Sequence, residues 1–517
     1  MANDDIDEAW RYHHATKHSF ESVRLAGRPL DWANEPRLFK RYLELPEIAL
    51  PRELPRFGVP ALAAIAATVP PDAGRPLDLS TFAYLLFFSA GITKRRRLPG
   101  GEVAFRAASC TGARYEIDLY VACRQVAGVE PGLYHFDPAE FLLRQLRRGD
   151  ATGVLLHATA GEPGVAHAAA TIICTGTYWR NAWKYRARTY RHLGWDNGTI
   201  LANLMAAAGA AGLPARVVCG FVDGHVNDLL GLEVEREVSL ALVPVGHVEP
   251  ASEEGAQLAA PLRYEVEPYS RREVDYPEMR RLHAASSLSS PEEVAAWRAA
   301  AETPLERPAQ PVGGRFVPFA EGAGEVLPAD ALEDVILRRG STRRFARGAA
   351  WTFDQLSKAL FRAQQPIASD ALGTLNDLYL IVHAVEGLPP GAYAVHRQPG
   401  GVELLKEGVF RDEAGYLGLE QELPADASAV VFFLSNLNVV LDRLGNRGYR
   451  VANAEAGIVG GRLYLAAYAQ RLGASGLTFY DDDVVRFFSP HAAGKSAIFC
   501  VALGQSAKSD SSITKIT

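Results

Sequence analysis

Cysteine is scarce. The five cysteines, Cys110, Cys123, Cys174, Cys219 and Cys500, are scattered through 517 residues with no C-x-x-C pair, which argues against a disulfide framework and against the common zinc motifs. An excess of positive charge is also lacking: the formal net charge is -6, whereas a general nucleic-acid binder needs a broad basic face to displace counterions. No apolar run reaches the roughly 20 residues of a membrane span. The opening MANDDIDEAWRYHH is acidic and polar where a secretory leader is basic and then apolar. Neither G-x-x-x-x-G-K-[ST] nor G-x-G-x-x-G after a strand is found, so a P-loop ATPase or a Rossmann dinucleotide fold has no support. His13, His14 and His18 have no cysteine or carboxylate at metal-site spacing, and no metal is expected. These absences point to a soluble, cytoplasmic protein with neither nucleic acid nor membrane as partner.

What is present begins with a globular composition, 48% hydrophobic and 22% charged, in a chain long enough for two domains of roughly 200 residues. The chain also repeats itself. DLYVACRQVAGVEPGLYHF, from Asp118, lies over DLYLIVHAVEGLPPGAYAV, from Asp377, at an offset of 259. The same offset carries Tyr190-Arg191 onto Tyr449-Arg450, Gly198 onto Gly457, Ala207-Ala208 onto Ala466-Ala467 and Asp223 onto Asp482. Two homologous domains are expected at 60–250 and 325–507, with an N-terminal extension over 1–59, a Pro-, Glu- and Arg-rich connector over 251–324 and a tail over 508–517.

Each half reads as α+β. ATIICTGTY near Ala170 and ASAVVFFLS near Ala427 have the β-branched and aromatic character of buried strands. Long helices follow, DNGTILANLMAAAGAAGL and NAEAGIVGGRLYLAAYAQRLG, whose small residues suit close helix packing. SLALVPVG and SAIFCVALG close the two halves as strands. Two like halves are most economically arranged about an approximate two-fold axis, with a site between them.

The stretch RRGSTRRF, Arg338 to Phe345, follows a helical ADALEDVIL. Arginine forks bind phosphate oxygens bidentately and hydroxyls fill the remaining acceptors, so a phosphate monoester is the expected anion. A solvated basic loop is the other reading of the same residues. TKRRRLPGG, Thr93 to Gly101, could steer an acidic peptide or a nicotinamide phosphate, but a solvated loop is preferred. Cys110 reads as packing.

These residues resemble a family. R-x-S-x-R-x-F at Arg339, Ser341, Arg343 and Phe345 is similar to the phosphate-binding opening of the flavin mononucleotide (FMN) nitroreductases. FRAASCTGARYEIDLYV, with Arg106, Ser109, Cys110, Thr111 and Gly112, resembles the R-x-x-P-S-x-G-x-x-Y segment of the SagB/ThcOx-type branch, to which peptide azoline dehydrogenases belong; Ala108 stands where that branch has proline. YWRNAWKYRARTYRHLGWDNG and the N-terminal YHHATKHSFESVR and LDWANEP resemble the same branch.

The resemblance implies two tandem nitroreductase-like domains, each a mixed sheet flanked by helices, forming an intramolecular pseudo-dimer with FMN at the interface. One half would supply the Arg339–Ser341–Arg343 clamp. The other would supply Arg106, the serine loop at Ser109 to Gly112, and Lys184 and Tyr185 as the catalytic pair, with Trp183 desolvating Lys184 so that it acts as a base. LGASGLTFYDDDV, with Gly476 and Leu477, would offer backbone N–H groups to the flavin ring, its three aspartates forming a surface turn. The clamp falls opposite AIAATVPP, which has no arginine, while Trp183-Lys184-Tyr185 falls on Asp442-Arg443-Leu444 and Ser109 on Ala368. One intact composite site is therefore expected, its pseudo-symmetric counterpart dead or repurposed. The expected activity is an FMN-dependent dehydrogenation of a peptide-derived or natural-product small molecule, azoline-to-azole in type, by base-assisted hydride transfer to flavin N5, alongside a biosynthetic partner enzyme. A nicotinamide-dependent nitro or quinone reductase and a non-catalytic flavin-binding scaffold are the alternatives.

Overall fold

The computed structural model describes residues 2–25, 27, 29–98, 101–251, 262–303, 314–320 and 327–507; the expected tail and parts of the expected connector lie outside them. No described helix is long and apolar enough to cross a membrane.

Two antiparallel sheets dominate. The first runs in spatial order Glu47–Ala49, Leu142–Arg148, Gly132–Asp137, Ile117–Cys123, Ala170–Thr177, Glu237–Val245; the second runs Arg315–Pro318, Gly401–Glu407, Gly391–His396, Asp377–Val382, Ala429–Ser435, Ser496–Gly504, Gly473–Gly476. Five consecutive strands therefore appear twice in one order. Four of the five pairs, from Gly132 and Gly391 to Glu237 and Ser496, start at the 259-residue offset, and the fifth, Ile117–Cys123 and Asp377–Val382, ends at it. The central strands Ala170–Thr177 and Ala429–Ser435 are buried at every position, as strands covered on both faces must be.

The two long helices, Thr189–Ala210 and Asn446–Ala469, pack against each other at the centre of the molecule. Glycine permits their approach. A Cβ on Gly198 would lie 2.4 Å from the carbonyl oxygen of Ala454, and one on Gly457 2.3 Å from that of Trp195. Since Trp195 and Ala454 are themselves related by the repeat, each helix offers the other the same notch. Trp195 Nε1 donates to Asn453 Oδ1 across the crossing at 2.9 Å.

Flanking the crossing are two reciprocal ion clusters. Asp481 of the second half binds Arg188 and Arg191 of the first at 3.0 and 2.6 Å, and Asp223 of the first half binds Arg447 and Arg450 of the second at 2.6 and 2.7 Å. Tyrosines follow suit: Tyr449 meets His13 and Tyr190 meets His283. The counterpart of Asp223 is thus Asp481, not Asp482, which is exposed and pairs with Lys17. A one-residue slip accounts for this. It already applies at the preceding edge, where Ala215 and Val218 bridge Val245 and Leu242 as Gly473 and Gly476 pair with Gly504 and Val501. The aspartate run is accordingly no surface turn: it opens the helix Asp481–Phe488, and Asp481 is 1% exposed because two buried guanidiniums of the other half require it.

Candidate functional site

The clamp and the serine loop meet. After the helix Leu332–Arg338 the chain turns, and Arg339 is carried into the first half, where its Nε donates to the Ala107 carbonyl at 2.8 Å and its Nη2 to the Arg106 carbonyl at 3.0 Å. Burial lowers its proton affinity, and among the described residues no carboxylate pairs with it. Tyr464, on the second central helix, lies under the guanidinium with its ring centroid 5.8 Å away, and its hydroxyl meets Ser341 Oγ at 3.3 Å. Arg343 is exposed and close enough for its charge to act on Lys184.

Lys94 joins this group. It belongs to the strand Ile92–Leu98 of a β-hairpin, not to a solvated loop, and its ammonium donates to the carbonyls of Arg338 and Arg339 at 3.0 and 2.7 Å. Although its stem is exposed, the docked Nζ is desolvated and faces the Arg339 charge, which together push it down to about 8. The site therefore gathers Arg339, Arg343 and Lys94 with no acid among the described residues to neutralise them.

The serine loop is fixed from below by the first central helix. Thr199 Oγ1 donates to the Ser109 carbonyl at 2.7 Å, and Asp196 accepts the Thr111 N–H at 2.9 Å and its hydroxyl at 3.0 Å. Arg106, expected among the cofactor-binding residues, spends its guanidinium on the carbonyls of Ala90 and Ile117 and so holds the loop's base rather than the cleft. Cys110 Sγ lies 3.3 Å from Glu116 Oε2 and 3.4 Å from Asp196 Oδ2. These two buried carboxyls have no ion-pair partner among the described residues, and burial together with the Glu116 charge raises the proton affinity of Asp196. The same surroundings push the Cys110 thiol up, which suits packing and not thiolate chemistry.

Lys184 and Tyr185 end the helix Tyr178–Tyr185 beside this loop. The Tyr185 hydroxyl occupies the space where a Cβ on Gly112 would come within 2.4 Å, and Gly112 itself has φ of 61°, so glycine is required there twice over. Burial and the nearby acids hold the phenol of Tyr185 protonated. Lys184 Nζ lies 5.2 Å from the Tyr185 ring, and its proton affinity is lowered by partial burial and by the guanidiniums of Arg114 and Arg343. The Trp183 indole donates to the Asp31 carbonyl and carries at 4.8 Å the guanidinium of Arg114, which adds to the effect of burial on Lys184.

Gly476 and Leu477 reach the site's edge, but their N–H groups are engaged, by the Tyr464 hydroxyl and the Cys500 carbonyl. They do not present free amides as expected. No motif marks Tyr464; the sequence signal for it is its i, i+4 spacing to Tyr468, whose hydroxyl faces Thr342.

At the pseudo-symmetric position the loop is tied to the first half, beside a cavity of about 220 Å³ lined by Asp370, Gly373 and Arg443. Val217 N–H donates to the Ala368 carbonyl at 2.8 Å, and Asp370 accepts the N–H groups of Cys219 and Gly220 at 2.7 and 2.8 Å. Glu455, the counterpart of Asp196, ties down the same loop through Gly373, Leu375 and Asn376. Arg443, in the place of Lys184, is bonded to the Thr303 carbonyl.

Residues 101–247 match the nitroreductase family. A crystal structure from Anabaena variabilis, named as a nitroreductase, is similar over 97% of this chain and 99% of its own, at 27% identity and a TM-score of 0.79. A protein of Methanocaldococcus jannaschii, likewise named, is 28% identical over 171 residues, which are 33% of this chain and 81% of that one. A Ralstonia eutropha structure of the same designation covers 44% of this chain and 98% of its own at 22% identity and a TM-score of 0.32.

Proposed function

We propose that the chain is an FMN-dependent oxidoreductase with a single composite site, its halves at 60–250 and 325–507 being nitroreductase-like domains fused into a pseudo-dimer. The observation that carries this reading is Arg339, a buried guanidinium of the second half without a carboxylate partner, docked on the Arg106 and Ala107 carbonyls at the foot of the first half's serine loop. The donor set fits a phosphate monoester. It offers the remaining guanidinium nitrogen of Arg339, Nη1, the hydroxyl of Ser341, the exposed Arg343 and the ammonium of Lys94, with no competing acid among the described residues.

FMN, when bound, supplies hydride chemistry at its N5. The protein's own part is to position the substrate and move its proton. Lys184 Nζ, with lowered proton affinity, takes a proton from the carbon next to the one that loses hydride, while Tyr185 keeps its phenolic hydrogen and donates it to the substrate. This division supports a dehydrogenase acting on a peptide-derived or natural-product substrate of the azoline type, with a biosynthetic enzyme as partner. A nicotinamide-dependent nitro or quinone reductase is the second reading, favoured by exposed Arg96 and Arg97 on the hairpin whose Lys94 touches the clamp.

Released flavin counted per chain tests the proposal. One FMN per chain is expected, with affinity falling at least about tenfold in Arg339→Ala, since a charged hydrogen bond is worth roughly 1.5–3 kcal/mol. Two per chain, or unchanged affinity, would overturn the composite site. Lys184→Ala then separates the chemistries: a dehydrogenase keeps its FMN and loses turnover, whereas a reductase bleached by NADPH is indifferent.

A further inference from the structure

We propose that His396, Glu403 and His491 bind a divalent transition-metal ion of the zinc class in the second half, at a place that shares no residue with the flavin site. One donor atom from each residue lies within 4.8 Å of the others. The three come from separate segments. His396 ends the strand Gly391–His396, Glu403 is in the adjoining strand Gly401–Glu407, and His491 is in the turn after the helix Asp481–Phe488.

The geometry orients each donor. His396 Nε2 faces Glu403 Oε2 at 2.8 Å, and Glu403, 2% exposed, has its other oxygen held by the Gly314 N–H at 3.1 Å. The Tyr379 hydroxyl fixes His491. It accepts from Lys495 at 2.7 Å and lies 2.9 Å from His491 Nδ1 and 3.3 Å from the His491 carbonyl, so it holds the ring through Nδ1. With Nδ1 engaged, Nε2 is the nitrogen left for an ion, and a ligating histidine whose other ring nitrogen is held by a fixed partner is the usual support for a metal.

Two imidazoles and one carboxylate form a zinc donor set that leaves a fourth position for water. Bond lengths of about 2.0–2.2 Å in a tetrahedron separate the donors by about 3.3 Å. The His396–Glu403 pair would open by about half an ångström, and His491 would close by about 1.5 Å at most. The ion would clip the strand hairpin to the turn behind the helix whose first residue, Asp481, locks Arg188 and Arg191 of the other half.

The test uses the full chain expressed without a polyhistidine tag, equilibrated with zinc, desalted and analysed for metal by mass spectrometry. One zinc per chain is expected, lost in His491→Ala and in Glu403→Gln and retained in Arg339→Ala, which separates this site from the flavin proposal. Because His491 is exposed, its alanine variant is expected to keep the parent's circular dichroism. Cobalt in place of zinc should give tetrahedral visible bands in the parent, and His491→Cys should keep them and add a thiolate charge-transfer band. A chain that retains no zinc, or one whose zinc survives His491→Ala, overturns the proposal and leaves His396–Glu403 as an ion pair only.

Discussion

Changing Asp481 to asparagine removes one charge and almost no volume, and should separate the halves energetically more than any surface substitution. Its two oxygens bind Arg188 at 3.0 Å and Arg191 at 2.6 Å, and one also accepts the His18 N–H at 2.8 Å. Asparagine keeps one acceptor and turns an amide N–H toward a guanidinium, donor against donor, with two buried cations left uncompensated. Breaking a buried pair in this way costs about 3–5 kcal/mol. Asp223→Asn should cost a similar amount, since its arginines stand at 2.6 and 2.7 Å. The two clusters share no partner, so the double variant should lose close to the sum.

The pH dependence has a definite sign. Burial works against the Asp223 carboxylate, but Arg447 and Arg450 win and hold it down at about 2. A carboxyl depressed below its unfolded value of about 3.9 stabilises the fold above that value and loses the contribution as pH falls toward its folded one. The gap between parent and Asp223→Asn should therefore be full at pH 7 and narrow below about pH 4. Urea unfolding midpoints across this range measure it. A loss under about 1 kcal/mol, or a gap that does not change with pH, would refute the view that these clusters hold the halves together.

Three further outcomes follow from the same geometry. Gly457→Ala places a methyl 2.3 Å from the Trp195 carbonyl and 2.8 Å from its Cα, both backbone, so the central helices must part; a loss of about 3 kcal/mol is expected by thermal melting. Asp196→Asn should flatten the alkaline decline of stability. A carboxyl raised by burial and by Glu116 contributes most below its unfolded value and loses that contribution as pH rises through its folded one, so melting temperatures from pH 5 to 9 should fall less in the variant than in the parent. In the enzyme, turnover should rise with pH through the lowered proton affinity of Lys184 and reach its plateau below that of a free lysine; Lys184→Gln should abolish the rise, whereas Tyr185→Phe should lower the plateau and leave its midpoint in place.

Much of the architecture was legible because the repeat runs at a constant offset through five strands, and a periodic coincidence of that length needs no tertiary information. The residues that were misread depend on the other half. The aspartate run at Asp481 has the composition of a surface turn, and only the arrival of Arg188 and Arg191 from residues far away in sequence makes its first member a buried anion. Lys94 was hidden for a different reason, since its partners are carbonyls and leave no mark in a side-chain pattern. Fusion of the two halves explains why the asymmetry could arise. In a dimer of identical chains, a residue lost from one site is lost from both, whereas here Asp370 can bind the Cys219 and Gly220 amides at one position while Asp196 keeps its loop in place at the other. The two positions are then two outcomes of one fold. Asp370→Ala should loosen the Val217–Gly220 segment, visible as faster amide exchange at Cys219 and Gly220, without adding a second flavin, because AIAATVPP, the stretch that answers to the clamp, has no arginine.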